Sequence, residues 1–346
     1  MPLLSLLPGH PGHALVLGVN GQDGSYLAEQ LLQDGWLVTG VGRQAQPRRI
    51  VAARPGFQYR FLDMTDDRAL STLLLESRPS AIFHFAAVHG SAGFDYESHW
   101  RDVHTVNSLS VHAVLEHMRR NAPDAVFVYA SSSKVFNTSA GGVINEHSPR
   151  TSTCIYSTTK NAATDLIGYY RKEHHLKASV VWPFNHESPR RGSSYFVPRV
   201  VSHLAGALLD PGYVGEIASL SFWSDWSDAR DFMAATVSIA TQAPGRDFVL
   251  ASGTTVWAEE FVADLFNQFG LSHQKHLKVK FPPESPRPPA YAVDVSTLQQ
   301  HITCPQMRSP FAIATDILRT NHTTVGVQWP ANLRQLFKCD AVQRNG

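Results

Sequence analysis

The sequence has little cysteine and almost no net charge. Its 346 residues include three cysteines, Cys154, Cys304 and Cys339, and carry a formal net charge of +1. An odd number of cysteines without Cys-x-x-Cys spacing indicates neither a disulfide framework nor a zinc site, so we expect no metal and a reducing, cytoplasmic compartment. The balanced charge gives no general electrostatic reason to bind nucleic acid or an anionic membrane.

The sequence also lacks an apolar run long enough to cross a membrane. The N-terminal run Met1–Gly9 has no basic start and is interrupted at Pro8, so it fits neither a signal peptide nor a spanning helix. We expect residues 1–13 to form a disordered leader. A composition of 43% hydrophobic and 17% charged residues is typical of a globular protein, and the length suggests about two domains.

The clearest pattern lies near the N-terminus. Ala14–Leu17 predict a buried strand, Gly18, Gly21 and Gly24 predict a turn, and apolar residues at helical spacing follow. A strand that enters a helix through glycines lets backbone N–H groups approach a pyrophosphate, whose negative charge the helix dipole stabilises. The Gly-x-x-Gly-x-x-Gly spacing is the form used by short-chain dehydrogenase/reductases. A turn without a ligand is the alternative, but the β-turn-α context favours a dinucleotide site.

The end of the second predicted strand, Trp36–Val41, bears on which dinucleotide is bound. It lacks the acidic residue that commonly binds the adenine ribose of NAD. Arg43, backed by Arg48 and Arg49, instead suits the 2′-phosphate of NADP. The sequence therefore predicts NADP rather than NAD, with a solvated basic loop as the alternative.

Predicted strands and helices alternate through the first half of the chain. A third strand is predicted over Phe61–Thr65, with Asp63 placed to contact the adenine amino group. The further predicted strands and helices are Asp66–Ser77, Ala81–Ala87, His99–Arg120, Ala125–Ala130, Tyr156–Glu173 and Ala178–Trp182. This alternation predicts an α/β fold with a doubly wound parallel sheet. We expect residues 14–183 to form the dinucleotide-binding domain, 184–320 a smaller substrate-binding lobe, and 321–346 a tail.

A Tyr-x-x-x-Lys pattern predicts the chemistry. Tyr156 and Lys160 are four residues apart, which places both side chains on one face of a helix. We expect the ammonium to lower the pKa of the phenol, so that Tyr156 exchanges a proton with a sugar hydroxyl, while the lysine also holds the nicotinamide ribose. A Ser-Ser-Ser strand end precedes this helix by a distance that brings Ser132 or Ser133 to the same cleft.

Two stretches resemble one family. Residues 18–29, Gly-Val-Asn-Gly-Gln-Asp-Gly-Ser-Tyr-Leu-Ala-Glu, are close to its cofactor loop, and residues 185–192, Asn-His-Glu-Ser-Pro-Arg-Arg-Gly, reproduce a stretch found in few other families. Over about residues 14–320 the chain resembles the extended short-chain dehydrogenase/reductases, and within them the GDP-mannose 4,6-dehydratases. Residues 225–231 are similar to the family's Arg-Asp-Trp stretch.

The resemblance implies a reaction and a set of residues. It implies a tightly held NADP that takes a hydride from carbon 4 of a nucleotide-linked hexose, loss of water across carbons 5 and 6, and return of the hydride to carbon 6. Ser132 and Tyr156 would act on the carbon 4 hydroxyl with support from Lys160. Contacts to the nucleotide diphosphate are implied for Asn185, Arg199 and Arg287. The expected cofactor-binding residues are Gly18, Asn20, Gly21, Gln22, Asp23, Gly24, Arg43, Asp63, Met64, Tyr156 and Lys160.

Three positions depart from the family pattern. Lys134 stands where the family has its dehydration glutamate, Ser224 replaces the arginine before Asp-Trp, and Ala290 lies near a glutamate that helps to bind the nucleoside. A lysine cannot both accept and donate the proton unless burial lowers its pKa by several units. Two interpretations therefore stay open. Lys134 is an ordinary exposed lysine in an enzyme such as a nucleotide-sugar 4-epimerase or 4-ketoreductase, or it is a desolvated base at carbon 5 that allows epimerisation or an altered elimination.

Two further expectations concern partners and class. The predicted helices His99–Arg120 and Tyr156–Glu173 have broad apolar faces that would pair across a two-fold axis into a four-helix bundle, so we expect a homodimer or homotetramer. A non-catalytic dinucleotide sensor on the same fold is the alternative from another class. Retention of Ser132, Tyr156 and Lys160 favours the enzyme.

Overall fold

The computed structural model describes residues 12–50, 53–90, 93–281 and 286–323. The predicted leader and tail lie mostly outside these residues. The strands are β1 (His13–Leu17), β2 (Leu37–Gly42), β3 (Phe57–Phe61), β4 (Ala81–His84), β5 (Val126–Ala130), β6 (Gly142–Ile144), β7 (Lys177–Pro183), β8 (Asn185–Glu187), β9 (Gly215–Ile217), β10 (Trp223–Asp228), β11 (Phe248–Leu250), β12 (Thr255–Trp257), β13 (Leu277–Val279) and β14 (Tyr291–Val293).

The helices alternate with the strands through most of the chain. They are α1 (Gln22–Gln33), α2 (Asp67–Ser77), α3 (Trp100–His104), α4 (Ser110–Asn121), α5 (Ile155–His174), α6 (Phe196–Leu209), α7 (Ala229–Gln242), α8 (Ala258–Gln268), α9 (His273–His276), α10 (Ser296–His301) and α11 (Pro310–Thr323). A π-helical turn, Thr105–Leu109, joins α3 to α4. In the described part of the chain, no helix is both long and apolar enough to cross a lipid bilayer.

The central sheet confirms the predicted fold class. Seven parallel strands lie in the order β3-β2-β1-β4-β5-β7-β11. Leu15 and Leu17 pack into one core cluster with α2, α4 and α5, whereas Ala14 and Val16 pack into another with α1 and α7. Burying each leucine side chain stabilises the fold by about 2 kcal/mol. Helices therefore cover both faces of a Rossmann-like sheet, and the carboxyl ends of its strands meet at one edge.

Two secondary-structure predictions, one for a strand and one for a helix, were wrong. The third strand ends at Phe61, where we expected it to begin, because β3 lies at the edge of the sheet and leaves Phe61 66% exposed. The prediction followed the apolar run instead of the half-exposed strand. The helix expected over His99–Arg120 is interrupted by the π-helical turn, where the buried side chain of Asn107 accepts a hydrogen bond from the backbone N–H of Val88.

The sheet also draws on the C-terminal half of the chain. Strand β11 pairs with β7, and α7 packs against α1, although both elements follow residue 184. The smaller lobe contains β8, β10 and β12 in one sheet, with β8 and β10 parallel and β10 and β12 antiparallel. Its core lies between α6, α8 and α11 and includes the buried ring of Trp226. The first lobe strand, β8, begins two residues after β7 ends, so it continues the edge at which the parallel strands end.

Candidate active site

The glycine turn has the geometry that a dinucleotide needs. Gly18 has a φ of +93°, and a Cβ added there would lie 2.6 Å from the backbone nitrogen of Ala86. A Cβ on Gly24 would overlap the carbonyl oxygen of Gly18, so only glycine lets α1 approach β1 this closely. The N-terminus of α1 therefore stands directly at the carboxyl end of β1, where its dipole favours an anion.

A cavity of about 500 Å³ opens beside this turn. It brings together six of the predicted cofactor residues, which are Gly18, Asn20, Gly21, Arg43, Asp63 and Met64. Residues 85–88, after β4, form another part of its wall. The cavity lies at the strand-order reversal of a parallel sheet, where dinucleotides bind, and its glycines, arginine and carboxylate fit such a ligand.

Asp63 and Asn20 are held in place before any ligand binds. The Asp63 carboxylate accepts hydrogen bonds from the backbone N–H and the hydroxyl of Thr65, at 2.9 and 2.8 Å. These bonds, with a smaller contribution from Arg43, lower the pKa of Asp63. The Asn20 amide donates to Gln44 at 2.7 Å and to the Tyr59 hydroxyl at 3.0 Å. Asn20 therefore fixes the loop after β2, which carries Arg43.

Gln22 and Asp23 contact the second resemblance motif, far along the chain. The Asp23 carboxylate accepts from His186 Nε2 at 2.9 Å, and the side-chain amide oxygen of Gln22 accepts from the Ser188 hydroxyl at 2.7 Å. Burial acts to raise the pKa of Asp23, but the charge and hydrogen bond of His186 outweigh it and hold that pKa at about 2. The same pairing raises the pKa of His186 against its own burial.

Arg190 strengthens this connection between the two motifs. Its guanidinium donates to the Ser25 hydroxyl at 2.9 Å and to the Glu29 carboxylate at 2.6 Å, and it lies 3.9 Å from the ring centroid of Tyr26. The 185–192 stretch is thus bound along the first turns of α1. The two stretches that carry the resemblance form one structural unit around the N-terminus of the cofactor helix.

Glu187 is a buried carboxyl group in the same motif. It is 4% exposed, and burial raises its pKa to about 7 despite the opposing charges of Arg191 and His186. Arg191 Nε lies 3.6 Å from Glu187 Oε2, and within the described residues neither atom has a hydrogen-bond partner. The Arg191 guanidinium also lies 3.6 Å from the ring centroid of Tyr195.

The predicted catalytic residues come together at the carboxyl end of β5. Tyr156 is 6% exposed and Lys160 is 2% exposed, both in α5. Lys160 Nζ lies 5.6 Å from the Tyr156 ring centroid and donates to the carbonyl oxygen of Ala130 at 2.6 Å. A hydrogen bond with the Ser132 side chain favours ionisation of Tyr156. Ser132, Tyr156 and Lys160 therefore share one cleft.

Our expectation that the Tyr156 pKa is lowered was wrong. Burial raises the pKa of Tyr156, and the Ser132 hydrogen bond only partly opposes that effect. Burial also lowers the pKa of Lys160 to about 7, so its ammonium is only weakly favoured at neutral pH. The Lys160 ammonium donates its hydrogen bond to the Ala130 carbonyl, and Lys160 is not among the groups that offset the effect of burial on the Tyr156 pKa.

Lys134 lies at the mouth of this cleft. Its Nζ is 6.0 Å from the ring centroid of Tyr156, and its backbone N–H donates to Ser132 Oγ at 3.2 Å. Partial burial lowers the pKa of Lys134, although the residue keeps an exposed surface. One of the three positions that depart from the family pattern therefore lies beside Tyr156, the predicted catalytic tyrosine.

The predicted substrate residues lie in the smaller lobe and its border. The Asn185 amide donates to the hydroxyl of Ser224 at 2.7 Å, so these two positions contact each other. Arg199 is exposed in α6. The Arg287 guanidinium lies 4.1 Å from the ring centroid of Trp223 and 4.2 Å from that of Trp257, and it pairs with Glu260 at 2.8 Å.

Several side chains at this site were missed from the sequence. The imidazole of His89 packs against Tyr156 with ring centroids 4.4 Å apart and the ring planes tilted by 31°. The contacts that His186 and Arg190 make with α1 were also unforeseen. No local spacing points to these residues. The Asn-His-Glu-Ser-Pro-Arg-Arg-Gly stretch was the one available signal, and it identified the segment without indicating its contact with α1.

Comparisons with known proteins identify the family to which this chain belongs. The family model described as GDP-mannose 4,6 dehydratase matches residues 15–296. A GDP-mannose 4,6-dehydratase of Yersinia enterocolitica is 30% identical over 282 residues, covering 75% of this chain and 72% of that protein. Another GDP-mannose 4,6-dehydratase, from Sordaria araneosa, is 28% identical over 75% of this chain. The chain spans about half (48%) of that protein's length.

A solved structure shares the fold. The dTDP-glucose 4,6-dehydratase of Bacillus anthracis, determined in complex with NAD, superposes with a TM-score of 0.73 at 15% identity, over 89% of this chain and 97% of that one. At that identity the likeness supports the fold alone. Because the family model covers most of the chain, including both motifs and the Tyr-x-x-x-Lys helix, this protein belongs to the GDP-mannose 4,6-dehydratase family of nucleotide-sugar dehydratases and epimerases.

Proposed function

We propose that this protein is an NADP-dependent enzyme that oxidises carbon 4 of a nucleotide-linked hexose and then eliminates water across carbons 5 and 6. The observation that carries the proposal is the shared cleft of Ser132, Tyr156 and Lys160, which adjoins the cavity wall at residues 85–88 through the ring of His89. These residues would act on a sugar hydroxyl that faces the cofactor.

Each catalytic side chain has a separate role in the proposed oxidation. Bound in the cavity, NADP would supply the chemistry of hydride acceptance and return. Tyr156 removes the proton of the carbon 4 hydroxyl, and Ser132 holds that oxygen by a hydrogen bond. Lys160 binds the nicotinamide ribose and supports the phenolate once it turns from Ala130. Because burial raises the Tyr156 pKa, we expect this support to be needed before proton transfer.

Arg43 supports NADP as the cofactor. It lines the cavity at the end of β2, where no acidic side chain is available for the ribose hydroxyls of NAD. A guanidinium forms charge-assisted hydrogen bonds with a phosphate, which are stronger than those between neutral groups. The remaining cofactor contacts are proposed for the glycine turn, Asp63 and Met64.

Lys134 supports a second candidate, a nucleotide-sugar 4-epimerase or 4-ketoreductase. An elimination across carbons 5 and 6 needs a group that removes one proton and delivers another, and a carboxyl group does this near its pKa. Lys134 faces Tyr156 with a lowered pKa, so its neutral amine would be the base for the carbon 5 proton if elimination occurs. Without elimination, Ser132, Tyr156 and Lys160 would still suffice for hydride transfer at carbon 4.

The nucleotide diphosphate is proposed to bind between Asn185, Arg199 and Arg287. For Arg287 this requires a phosphate to compete with Glu260, while the stacked Trp223 and Trp257 rings hold the guanidinium in position. Ser224 leaves Asn185 with a neutral neighbour where the family has an arginine. We therefore expect weaker electrostatic attraction for the diphosphate at this point.

A homodimer or homotetramer and a cytoplasmic location complete the proposal. Leu109, beside α4, is 59% exposed and Tyr169, in α5, is 56% exposed, which favours pairing of these helices with a second copy. Cys154 and Cys304 are free thiols, as suits a reducing compartment. Sedimentation at several protein concentrations tests the assembly.

One experiment separates the candidates. Purified protein is analysed for bound NADP(H) and incubated with GDP-, CDP-, UDP- and dTDP-hexoses, and the products are examined by mass spectrometry. A dehydratase gives a 4-keto product lighter by one water, whereas an epimerase or ketoreductase does not. Tyr156→Phe is expected to abolish turnover while retaining the cofactor. A non-catalytic sensor would give no product, and its cellular activity would survive this substitution.

A further inference from the structure

His89 occupies the border between the cofactor cavity and the catalytic tyrosine. Residues 85–88 form part of the cavity wall, and His89 follows them directly. Its ring centroid lies 4.4 Å from that of Tyr156, with the ring planes 31° apart. A hexose whose carbon 4 hydroxyl reaches Tyr156 would therefore lie within reach of this imidazole.

Tyr96 fixes the tautomer of that imidazole. The Tyr96 hydroxyl and His89 Nδ1 are 2.5 Å apart, and the backbone N–H of Gly90 donates to the same hydroxyl oxygen. Because the Gly90 N–H already donates to the Tyr96 oxygen, the arrangement favours a Tyr96 hydroxyl that donates its own hydrogen to Nδ1, and burial, which raises the Tyr96 pKa to about 12, keeps that hydrogen in place. Because Nδ1 accepts, the hydrogen of a neutral His89 must be on Nε2.

The surroundings keep His89 neutral. Burial lowers its pKa to about 3, assisted by the positive charges of Lys134, Arg191 and Lys160, while Tyr96 and Tyr156 pack against the ring. His89 is partly exposed, and in the described part of the chain its side-chain hydrogen bond is the one at Nδ1. Its Nε2–H is therefore open to the cleft.

We propose that His89 donates a hydrogen bond from Nε2 to a hexose oxygen next to carbon 4, and that Tyr96 positions His89 by fixing its tautomer. This inference rests on the proposed function, since the hexose is its ligand. A neutral imidazole donates without adding a charge to a cleft that already holds Lys134, Lys160 and Arg191. His89 would thus orient the sugar and select hexoses with a hydroxyl at that place.

Four variants test the proposal with the hexose that the wild-type protein converts. His89→Leu keeps the bulk and removes the donor, and we expect it to lower kcat/KM by about tenfold or more. His89→Gln restores an N–H donor and should stay within about threefold of wild type. Tyr96→Phe removes only the fixing hydroxyl and should give an intermediate loss. His147→Leu, at an exposed histidine, is the control. For each of the four variants, the amount of bound NADP(H) and the melting temperature are also measured, and both are expected to stay close to those of the wild-type protein.

A second measurement reads the tautomer directly. Comparing the nitrogen-15 NMR spectra of the wild-type and His89→Gln proteins identifies the His89 resonances. We expect them to report a proton on Nε2 and none on Nδ1. In Tyr96→Phe we expect a mixture of the Nε2–H and Nδ1–H tautomers. A proton on Nδ1, or a His89→Leu variant within about twofold of wild-type kcat/KM, overturns the inference while leaving the proposed function standing. If the wild-type protein converts no nucleotide-linked hexose, the proposed function fails, and the assignment of His89 fails with it.

Discussion

Replacing Glu187 by Gln tests the electrostatics of the cofactor end of the site. Glu187 is 4% exposed, and its pKa rises from the ordinary 4.5 to about 7 because burial disfavours the carboxylate. The folded protein therefore binds this proton more tightly than the unfolded chain, and stability falls as the pH rises from about 4.5 to about 7. A difference of about 2.5 pH units, at 1.36 kcal/mol each, corresponds to about 3 kcal/mol.

A glutamine side chain at this position would keep the shape of the protonated acid without this loss. We expect Glu187→Gln to leave the melting temperature nearly unchanged at pH 4.5 and to raise it by about 5 °C at pH 8, at roughly 2 °C per kcal/mol for a chain of this size. Calorimetry of both proteins across this range measures the effect. Glu216→Gln, at an exposed carboxylate in β9, is the matched control and should show no comparable trend. A pH-independent difference for Glu187→Gln would refute the assigned burial cost.

Three further substitutions test the glycine turn and its partners. Asp23→Asn should destabilise the protein by about 2 kcal/mol at pH 7. Because the wild-type pKa is held at about 2, this difference should disappear as the pH falls from about 4 to about 2. Chemical denaturation at each pH measures the difference, and a value that does not change with pH would contradict the pairing with His186. Gly24→Ala should lower the free energy of unfolding by about 2 kcal/mol or more and weaken cofactor binding, because the new Cβ would overlap the Gly18 carbonyl. Gly168→Ala in α5 is the control: a Cβ there would have no heavy atom within 4 Å, so we expect stabilisation by about 0.5 kcal/mol. Equal effects of the two substitutions would exclude the packing argument. Arg43→Ala should weaken the binding of NADP by about tenfold or more and change the binding of NAD little, as measured by fluorescence titration. Equal losses of affinity for NADP and NAD would argue against a contact between Arg43 and the 2′-phosphate.

The fold was largely predictable where strands are buried on both faces. The β1 run and the glycine turn have a strong local pattern, because a central parallel strand must be apolar throughout. Strand β3 escaped the prediction because an edge strand is covered on fewer sides, and β11 escaped it because three residues are too few to show a period. How far neighbouring elements bury such a strand depends on the tertiary structure, and the local sequence pattern does not reveal it.

The site was predictable in its reactive groups and not in their supports. Tyr156 and Lys160 share a helix face, and Ser132 follows the end of the preceding sheet strand, so their meeting follows from topology. Their ionisation did not follow, since burial and the Ala130 carbonyl decide it. The contact of Asp23 with His186 spans 163 residues and needs the full tertiary structure.

The most direct test of the central claim follows the hydride. GDP-mannose carrying deuterium at carbon 4, or the corresponding hexose of whichever nucleotide sugar is bound, is incubated with the purified protein and its product is examined by mass spectrometry and NMR. The account predicts a 4-keto product in which deuterium has left carbon 4, with deuterium at carbon 6 and the loss of one water if elimination follows. Recovery of the starting sugar alone, with its deuterium on carbon 4 and its configuration at that carbon unchanged, from protein that contains NADP, would contradict oxidation at that carbon.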